Sequence, residues 1–413
     1  MTFSDMGLCP ALLQASTERG WLSPSAVQTA AIPVILQGGD VLVSADTGSG
    51  KTAAFALPLL QRWQETTKSR PRQIQFLVLV PTRELAAQVG ETLVGLASHL
   101  TQPPKVSVLF GGVSINPQMM GLRGGSDIVV ATPGRLLDLI DHNALQLASV
   151  STLVLDEADR LLDLGFSEEL TRIVALLPKQ RQTLLFSATL PVAIEELAAH
   201  MLHQPLRIAL PSLPQTQPDI HQRVIEVDDQ RRTQLLRQLI VQQGWDRTLV
   251  FVATKYATEI VADKLRRAGL TAEPFHGQLS QGKRNQVLAD FRASKLQVVV
   301  ATDLAARGLD ISQLPVVINY DLPRSAVDYT HRIGRTGRAG ESGLAISLIS
   351  AASAAHFRLI EKRQGLQLGR EQIAGFEPTE LAAAASATTD ANGGIKGKRP
   401  SKKDKLRQAA LKN

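Results

Sequence analysis

The sequence predicts an α/β protein of two tandem domains, each a mostly parallel sheet covered by helices on both faces. Three observations predict it. Short Val-, Ile- and Leu-rich runs alternate with longer stretches of helical period, and strands that are apolar throughout belong to sheets buried on both sides. The pattern stops at a proline-rich segment and then restarts. At 413 residues the chain also exceeds one ordinary domain.

In the first half the strand candidates are 41–43, 76–80, 128–131, 153–155 and 184–187. Pro211, Pro214 and Pro218 then fall within eight positions that show neither helical nor strand period, the mark of an extended linker. The second half offers strands at 249–252, 298–301, 316–319 and 344–348, and a helix over 256–268 that Gly269 is placed to end. These elements divide the chain into a first domain 1–208, a linker 209–218, a second domain 219–368 and a tail 369–413. The tail passes through an alanine-rich stretch of low complexity into a lysine-rich end, a composition that does not fold alone.

Composition narrows the function classes. Apolar content of 44% and charged content of 20% describe a globular protein with ample core. No uninterrupted apolar run reaches the ~18 residues of a membrane span, so no membrane partner is expected. Met1-Thr2-Phe3-Ser4-Asp5 does not open a secretory signal, and Cys9 is the only cysteine. Intramolecular disulfides and cysteine-rich zinc sites are thereby excluded, and a cytoplasmic location is expected. The net charge of +7 is local. Residues 391–413 carry eight bases against one acid, whereas the other 390 residues carry 37 of each. The excess describes the tail and does not identify the body as a nucleic-acid binder.

Polar clusters follow the strand runs in both halves, and ligands of open α/β sheets bind beyond the carboxyl ends of strands. The first cluster is a glycine-rich turn, Ala45-Asp46-Thr47-Gly48-Ser49-Gly50-Lys51-Thr52, set between a strand and a helix. Backbone N–H groups and a helix N-terminus suit phosphate there. Lys51 would neutralise the β- and γ-phosphates and Thr52 would ligate Mg2+. Asp156-Glu157-Ala158-Asp159 follows another strand. Asp156 would hold Mg2+ through water, and Glu157 would orient or deprotonate an attacking water. An acidic quartet can also merely cap the next helix. Far along the chain, His331-Arg332-Ile333-Gly334-Arg335-Thr336-Gly337-Arg338 presents Arg335 and Arg338 three residues apart. They fit stabilisation of transition-state charge on a γ-phosphate, and on the residues alone they also fit a solvated basic surface or an RNA-phosphate contact. His331 reads as a member of a network.

Together these strings resemble the DEAD-box family of ATP-dependent RNA helicases. The resemblance covers nearly all of residues 1–360 and adds Pro81-Thr82-Arg83-Glu84-Leu85-Ala86, Gly111-Gly112, Thr132-Pro133-Gly134-Arg135, Ser187-Ala188-Thr189, His276-Gly277 and the run from Ala301-Thr302-Asp303 to Arg307-Gly308-Leu309-Asp310. It implies two RecA-like domains that close over ATP, Mg2+ and single-stranded RNA. By resemblance Gln28 reads adenine and Phe3 stacks on the base, beside the loop residues Ala45, Thr47, Gly48, Ser49, Gly50, Lys51 and Thr52. Thr82, Arg83, Gly112, Thr132 and Arg135 would hold the RNA backbone on the first domain, and Thr254, Gly277 and Thr302 on the second. Ser187, Thr189 and Asp159 would couple the ATP and RNA sites. Asp303 and Arg307 would lie at the interdomain junction, with His331 in the coupling network, and Asp310 would contact the ribose. The chain departs from the family pattern in Pro24-Ser25-Ala26-Val27-Gln28, where a proline is replaced, and in Gln278, while Ala45 stands where the strict phosphate-loop pattern has glycine.

The expected function is local separation of short RNA duplexes or remodelling of RNA–protein complexes, driven by ATP, with little sequence preference because the grip is on backbone. The aromatic content of 4% offers no stacking platform of the RNA-reading kind. A DNA helicase or translocase and an ATP-gated RNA clamp or assembly scaffold are the rival readings. A monomer is expected, with ribosomal-particle or RNA-decay proteins as candidate partners.

Overall fold

A computed structural model describes residues 2–45, 48–66, 70–209, 220–306, 314–337 and 342–379. The first domain is a seven-stranded sheet of β1 (Val41–Ser44), β2 (Phe76–Leu79), β3 (Val106–Leu109), β4 (Ile128–Ala131), β5 (Thr152–Leu155), β6 (Gln182–Ser187) and β7 (Leu206–Ala209), in the order β3-β4-β2-β5-β6-β1-β7. The second holds β8 (Ile220–Glu226), β9 (Thr248–Phe251), β10 (Ala272–Phe275), β11 (Val298–Ala301), β12 (Val316–Asn319), β13 (Gly343–Ile349) and β14 (Arg370–Glu371), in the order β10-β11-β9-β12-β13-β8-β14. Every named strand pair is parallel.

Alternation along each strand explains why the runs are apolar throughout. Val41, Val43, Phe76, Val78, Val130 and Val154 pack into one helix-covered face. Their neighbours Leu42, Leu77, Leu79, Val129, Leu153 and Leu155 pack into the other. The second sheet repeats this with Val250, Val298, Val300 and Ile318 on one side and Leu249, Phe251, Val299 and Val317 on the other. A parallel sheet buried on both faces leaves no strand position for a charge near its centre.

Strands absent from the sequence reading lie at or next to sheet edges, where that constraint relaxes. β3 and β7 are edge strands with half-exposed or exposed positions. β10 carries Pro274, tolerable because it too is an edge. The expected helix begins one residue earlier, at Lys255–Arg267, with Thr254 capping it and Gly269 left-handed beyond its end.

Packed structure continues past residue 368, where the sequence placed the start of the tail. β14 pairs with β8, Phe376 is buried in the second domain's core, and the Thr379 N–H donates to Asp228 at 2.9 Å. One aromatic anchor and a two-residue strand are too short a signal to stand out from sequence. Linker residues 210–218 and the tail from residue 380 lie outside the described residues.

Candidate active site

Parallel strands place all their carboxyl ends on one edge, and the chemistry collects there. After β1 the chain turns through Gly48 and Gly50, both left-handed at φ +87° and +91°, into the helix Lys51–Glu65. Gly50 allows no side chain, since a Cβ would stand 2.4 Å from Gln28 Nε2 and 3.1 Å from Ser25 Oγ. Lys51 is buried, and its Nζ donates to the Ala45 carbonyl at 2.6 Å. The Ala45 N–H in turn donates to the Ser187 carbonyl at 3.1 Å. Thr52 is the second residue of that helix and Ser49 lies in the turn, whereas Thr47 lies outside the described residues.

The acidic tetrad shares this pocket. Burial pushes the Lys51 ammonium down, and the nearby charges of Asp156, Glu157 and Asp159 oppose that shift. Asp156 is 3% exposed. Burial first, then the adjacent Glu157 charge, raises its carboxyl to about 7, against the pull of Lys51. Glu157 has φ +52°, a left-handed strain that a bulky residue adopts only where the surroundings enforce it. It is clamped by Arg160, whose Nη1 donates to Glu157 Oε2 at 3.1 Å. These carboxylates fit a divalent cation: burial and mutual repulsion leave Asp156 short of positive charge. Among the described residues no three His, Cys, Asp or Glu side chains form a cage by themselves. An ion here would take most of its ligands from water and phosphate, as Mg2+ does, with Asp156 and Thr52 as the protein's share.

Asp159 links this pocket to the next strand. Its Oδ2 accepts from the Thr189 N–H at 3.2 Å and from Thr189 Oγ1 at 3.0 Å, while Ser187 Oγ donates to the Thr189 carbonyl at 2.7 Å. Ser187, Thr189 and Asp159 are therefore one network, tied through the Ser187 carbonyl to the start of the phosphate loop.

Gln28 is a capping residue in this structure. Its Oε1 accepts from the Ser25 N–H at 2.9 Å, and its Nε2 donates to the Gly50 carbonyl at 3.2 Å. Ser25 Oγ donates to the Ser49 carbonyl at 2.7 Å. The proline absent from Pro24-Ser25-Ala26-Val27-Gln28 is thus offset by a capping box that fastens the phosphate loop. Phe3 corrects the sequence reading. It is 5% exposed within the first domain's core cluster, so its ring has no free face for a base. The ring that sequence reasoning passed over is Trp21, partly exposed in the loop leading to Gln28.

The expected RNA residues line the same edge. Thr82 caps the helix Arg83–Ala97 by accepting from the Leu85 N–H at 3.3 Å, and Thr132 starts the helix Pro133–Asp141. Gly112, at φ +75°, lies under the Arg83 guanidinium, which a Cβ would meet at 2.6 Å. Arg83 Nη2 then reaches the Gly277 carbonyl of the second domain at 3.4 Å. Arg135 is buried and donates to the Val113 carbonyl at 2.7 Å; its Nε faces Asp138 Oδ2 at 3.6 Å, and its Nη1 has no hydrogen-bond acceptor. Spare donors on a buried cation suit an anionic backbone. Thr254 is exposed and caps its helix through the Ala257 N–H at 3.1 Å. Thr302 Oγ1 accepts from the Ala305 N–H at 3.4 Å.

In the second domain Asp303 is held by an internal ion pair. It takes both Nε and Nη2 of Arg332, at 2.5 and 2.7 Å, while Arg332 Nη1 also reaches Asn319 and the Asp321 carbonyl. Arg335 is buried and hands its carbonyl to the Leu314 N–H at 3.1 Å, and His331 sits in the last turn of the helix Ala326–Ile333. Arg307, Asp310 and Arg338 lie outside the described residues. A contact that the sequence did not announce crosses between the domains: Arg284 Nε and Nη2 meet Glu84 Oε1 at 2.7 and 2.6 Å, and both residues are largely buried.

Family models agree with this geometry. The DEAD/DEAH box helicase model matches residues 25–197, and the helicase conserved C-terminal domain matches residues 231–340. The chain is 40% identical over 396 residues to the ATP-dependent RNA helicase DeaD of Mycobacterium tuberculosis, covering 95% of this chain and 69% of that protein. The chain belongs to the DEAD-box family of ATP-dependent RNA helicases. It is also 41% identical to Escherichia coli DeaD over 376 residues, spanning 91% of this chain and 59% of that protein. Among solved structures, yeast Dbp5 bound to RNA and ADP BeF3 superposes with a TM-score of 0.79 at 29% identity, covering 90% of this chain and 95% of that one. A DEAD box protein from Methanococcus jannaschii is 36% identical with a TM-score of 0.51, covering 90% of this chain and 99% of that one. The superposition is thus better on the yeast protein, although the Methanococcus jannaschii protein is more similar in sequence. No helix among the described residues is long and apolar enough to cross a membrane.

Proposed function

We propose that this helicase grips single-stranded RNA by its backbone along both sheet edges and uses ATP hydrolysis in the first domain to open and close that grip. The observation that carries the reading is the Arg83–Gly277 and Glu84–Arg284 bridge. It joins the strand-end loops of two separately folded sheets, the loops this reading assigns to RNA. In this reading Lys51 and the turn 45–52 bind the phosphates, with Trp21 rather than Phe3 available to stack on adenine. Gln28 keeps one lone pair and one N–H for the base while it holds the loop. Bound at Asp156 and Thr52, Mg2+ would supply charge neutralisation on the phosphates. Glu157, held by Arg160, orients the attacking water, and Arg335 and Arg338 deliver positive charge from the second domain.

A strand bent between the two edges no longer fits an A-form duplex, so closure separates base pairs locally. Asp159, Ser187 and Thr189 transmit the nucleotide state to the RNA edge. The lysines of residues 391–413 add salt-sensitive RNA affinity. We place the protein in the cytoplasm as a monomer acting on ribosomal-particle or RNA-decay substrates. Steady-state ATP hydrolysis, measured with single-stranded RNA and with DNA of the same sequence, tests the proposal. Stimulation by RNA alone is the expected outcome. Equal stimulation by DNA would replace it with a general nucleic-acid translocase, and stimulation by neither would remove the coupled cleft.

A further inference from the structure

The chain has 11 Phe, 3 Trp and 3 Tyr, and all of them fall among the described residues. Sixteen are buried or partly buried, and only Tyr256 is exposed, at 72%. Tyrosine is an inferior helix former compared with the Ala, Lys or Glu that usually fill a solvated helical position. Its place in the fold is specific. Tyr256 is the second residue of the helix Lys255–Arg267, two residues after the exposed cap Thr254. One turn further along the same helical face, Glu259 Oε1 meets His276 Nε2 at 2.8 Å. Gly277, next to that histidine, has open space where a side chain would stand, and its carbonyl receives Arg83 from the first domain. The ring is therefore carried on the element that lines the RNA-facing edge.

The first domain has a counterpart of this position. Its equivalent position, two residues after the cap Thr82 at the end of the corresponding strand, is Glu84, whose carboxylate crosses the cleft to Arg284. In the second domain the same position carries an aromatic ring, and exposed Lys255 beside it adds a cation suited to phosphate.

We propose that Tyr256 is a stacking platform on which one nucleobase of the bound RNA strand lies, beside the backbone contacts of Thr254 and Gly277. The inference rests on the RNA-backbone reading above and makes it less indifferent to bases. Stacking on a phenol ring tolerates any base but favours those with the larger π-face, so purines should be held better than pyrimidines.

Fluorescence anisotropy tests this with the full chain, Mg2+ and a non-hydrolysable ATP analogue. The probes are single-stranded oligoadenylate, oligouridylate, and oligoadenylate whose central nucleotides lack bases. Y256A is expected to weaken oligoadenylate binding about tenfold, the order that removal of one stacked base brings. It should weaken oligouridylate binding less and leave the abasic probe unchanged. Y256F should bind as wild type, because the platform is the ring. An unchanged melting temperature and RNA-free hydrolysis rate show that Y256A is folded. Binding by Y256A within twofold of wild type overturns the proposal, as it would if the ring instead docked a protein. An equal loss on the abasic probe, or an equal loss in Y256F, also overturns it. A wild-type chain that bound none of the probes would overturn the RNA reading itself, a result distinct from any pattern among the variants.

Discussion

In both domains the loops after the second, third and fourth strands end in small polar residues. Thr82, Gly112 and Thr132 stand in the first, and Thr254, Gly277 and Thr302 in the second, on sheets of one topology. Even the capping is repeated: Thr82 accepts from Leu85, and Thr254 from Ala257. Three of the other strand ends differ. Where the first domain has the phosphate loop, Asp156-Glu157 and Ser187, the second has Asp228, Asp321 and Ser350. Asp321 is occupied internally by Arg232 at 2.7 Å and the Ala253 N–H at 2.8 Å. On the proposed reading the RNA grip is duplicated while the nucleotide chemistry is not. If Arg335 and Arg338 complete the site, as proposed, a domain with no nucleotide loop of its own would let hydrolysis proceed only when the two edges meet, and so make it answer to RNA.

The strongest way to break this comparison is to remove chemistry from the first domain alone. Glu157→Gln should lower kcat about 10²–10³-fold while RNA stays bound in the presence of ATP. Single-turnover hydrolysis and RNA dissociation rates measure the two, and continued cycling by the Glu157→Gln variant would move the water-orienting role elsewhere. A corresponding cut in the second domain should cost stability instead. Arg332→Ala leaves Asp303 and Asn319 without their buried partner, for a loss of about 3 kcal/mol. A urea unfolding transition that did not move would show that the pair is exchangeable with water.

The bridge between the domains can be separated from both. Glu84→Gln and Arg284→Ala should each reduce RNA-stimulated hydrolysis about tenfold, with the double variant no worse than either, because one contact is lost in every case. Additive losses would mean that each residue acts on its own.

The smallest expected effect is one of pH. Asp156 is raised to about 7, so below that pH the carboxylate that would hold Mg2+ carries a proton. Affinity for ATP in Mg2+ should fall as pH drops from 8 to 6, by up to about tenfold per unit. The ligand-free protein should respond oppositely. Between the ordinary carboxyl range and pH 7 the folded form binds more protons at this group than the unfolded form, so stability rises as pH falls. A nucleotide affinity that did not change over this range would show that Asp156 keeps its charge without the cation.

The central strands were legible because a sheet buried on both faces admits only apolar residues, as in β2, β5 and β11. Edge strands β3, β7, β10 and β14 were not, because an exposed edge tolerates Arg207, Pro274 or Glu371 without leaving a pattern. The phosphate loop and the acidic tetrad were legible for a different reason, since their chemistry demands fixed residue types at fixed spacing. Phe3 was misread because burial is invisible to spacing. Glu84 and Arg284 were missed because a pair 200 residues apart has no local signature.

By itself the sequence determined the α/β class, the two-domain division and the residue types at each strand tip, because burial and phosphate chemistry both act through local composition. Tertiary structure alone decided which of those residues share a site. It set Lys51 among three carboxylates, closed Asp303 on Arg332, turned Gln28 into a cap, and joined Glu84 to Arg284. Each is a contact whose geometry is fixed by sheet order and helix packing, and none is written in any short stretch of chain.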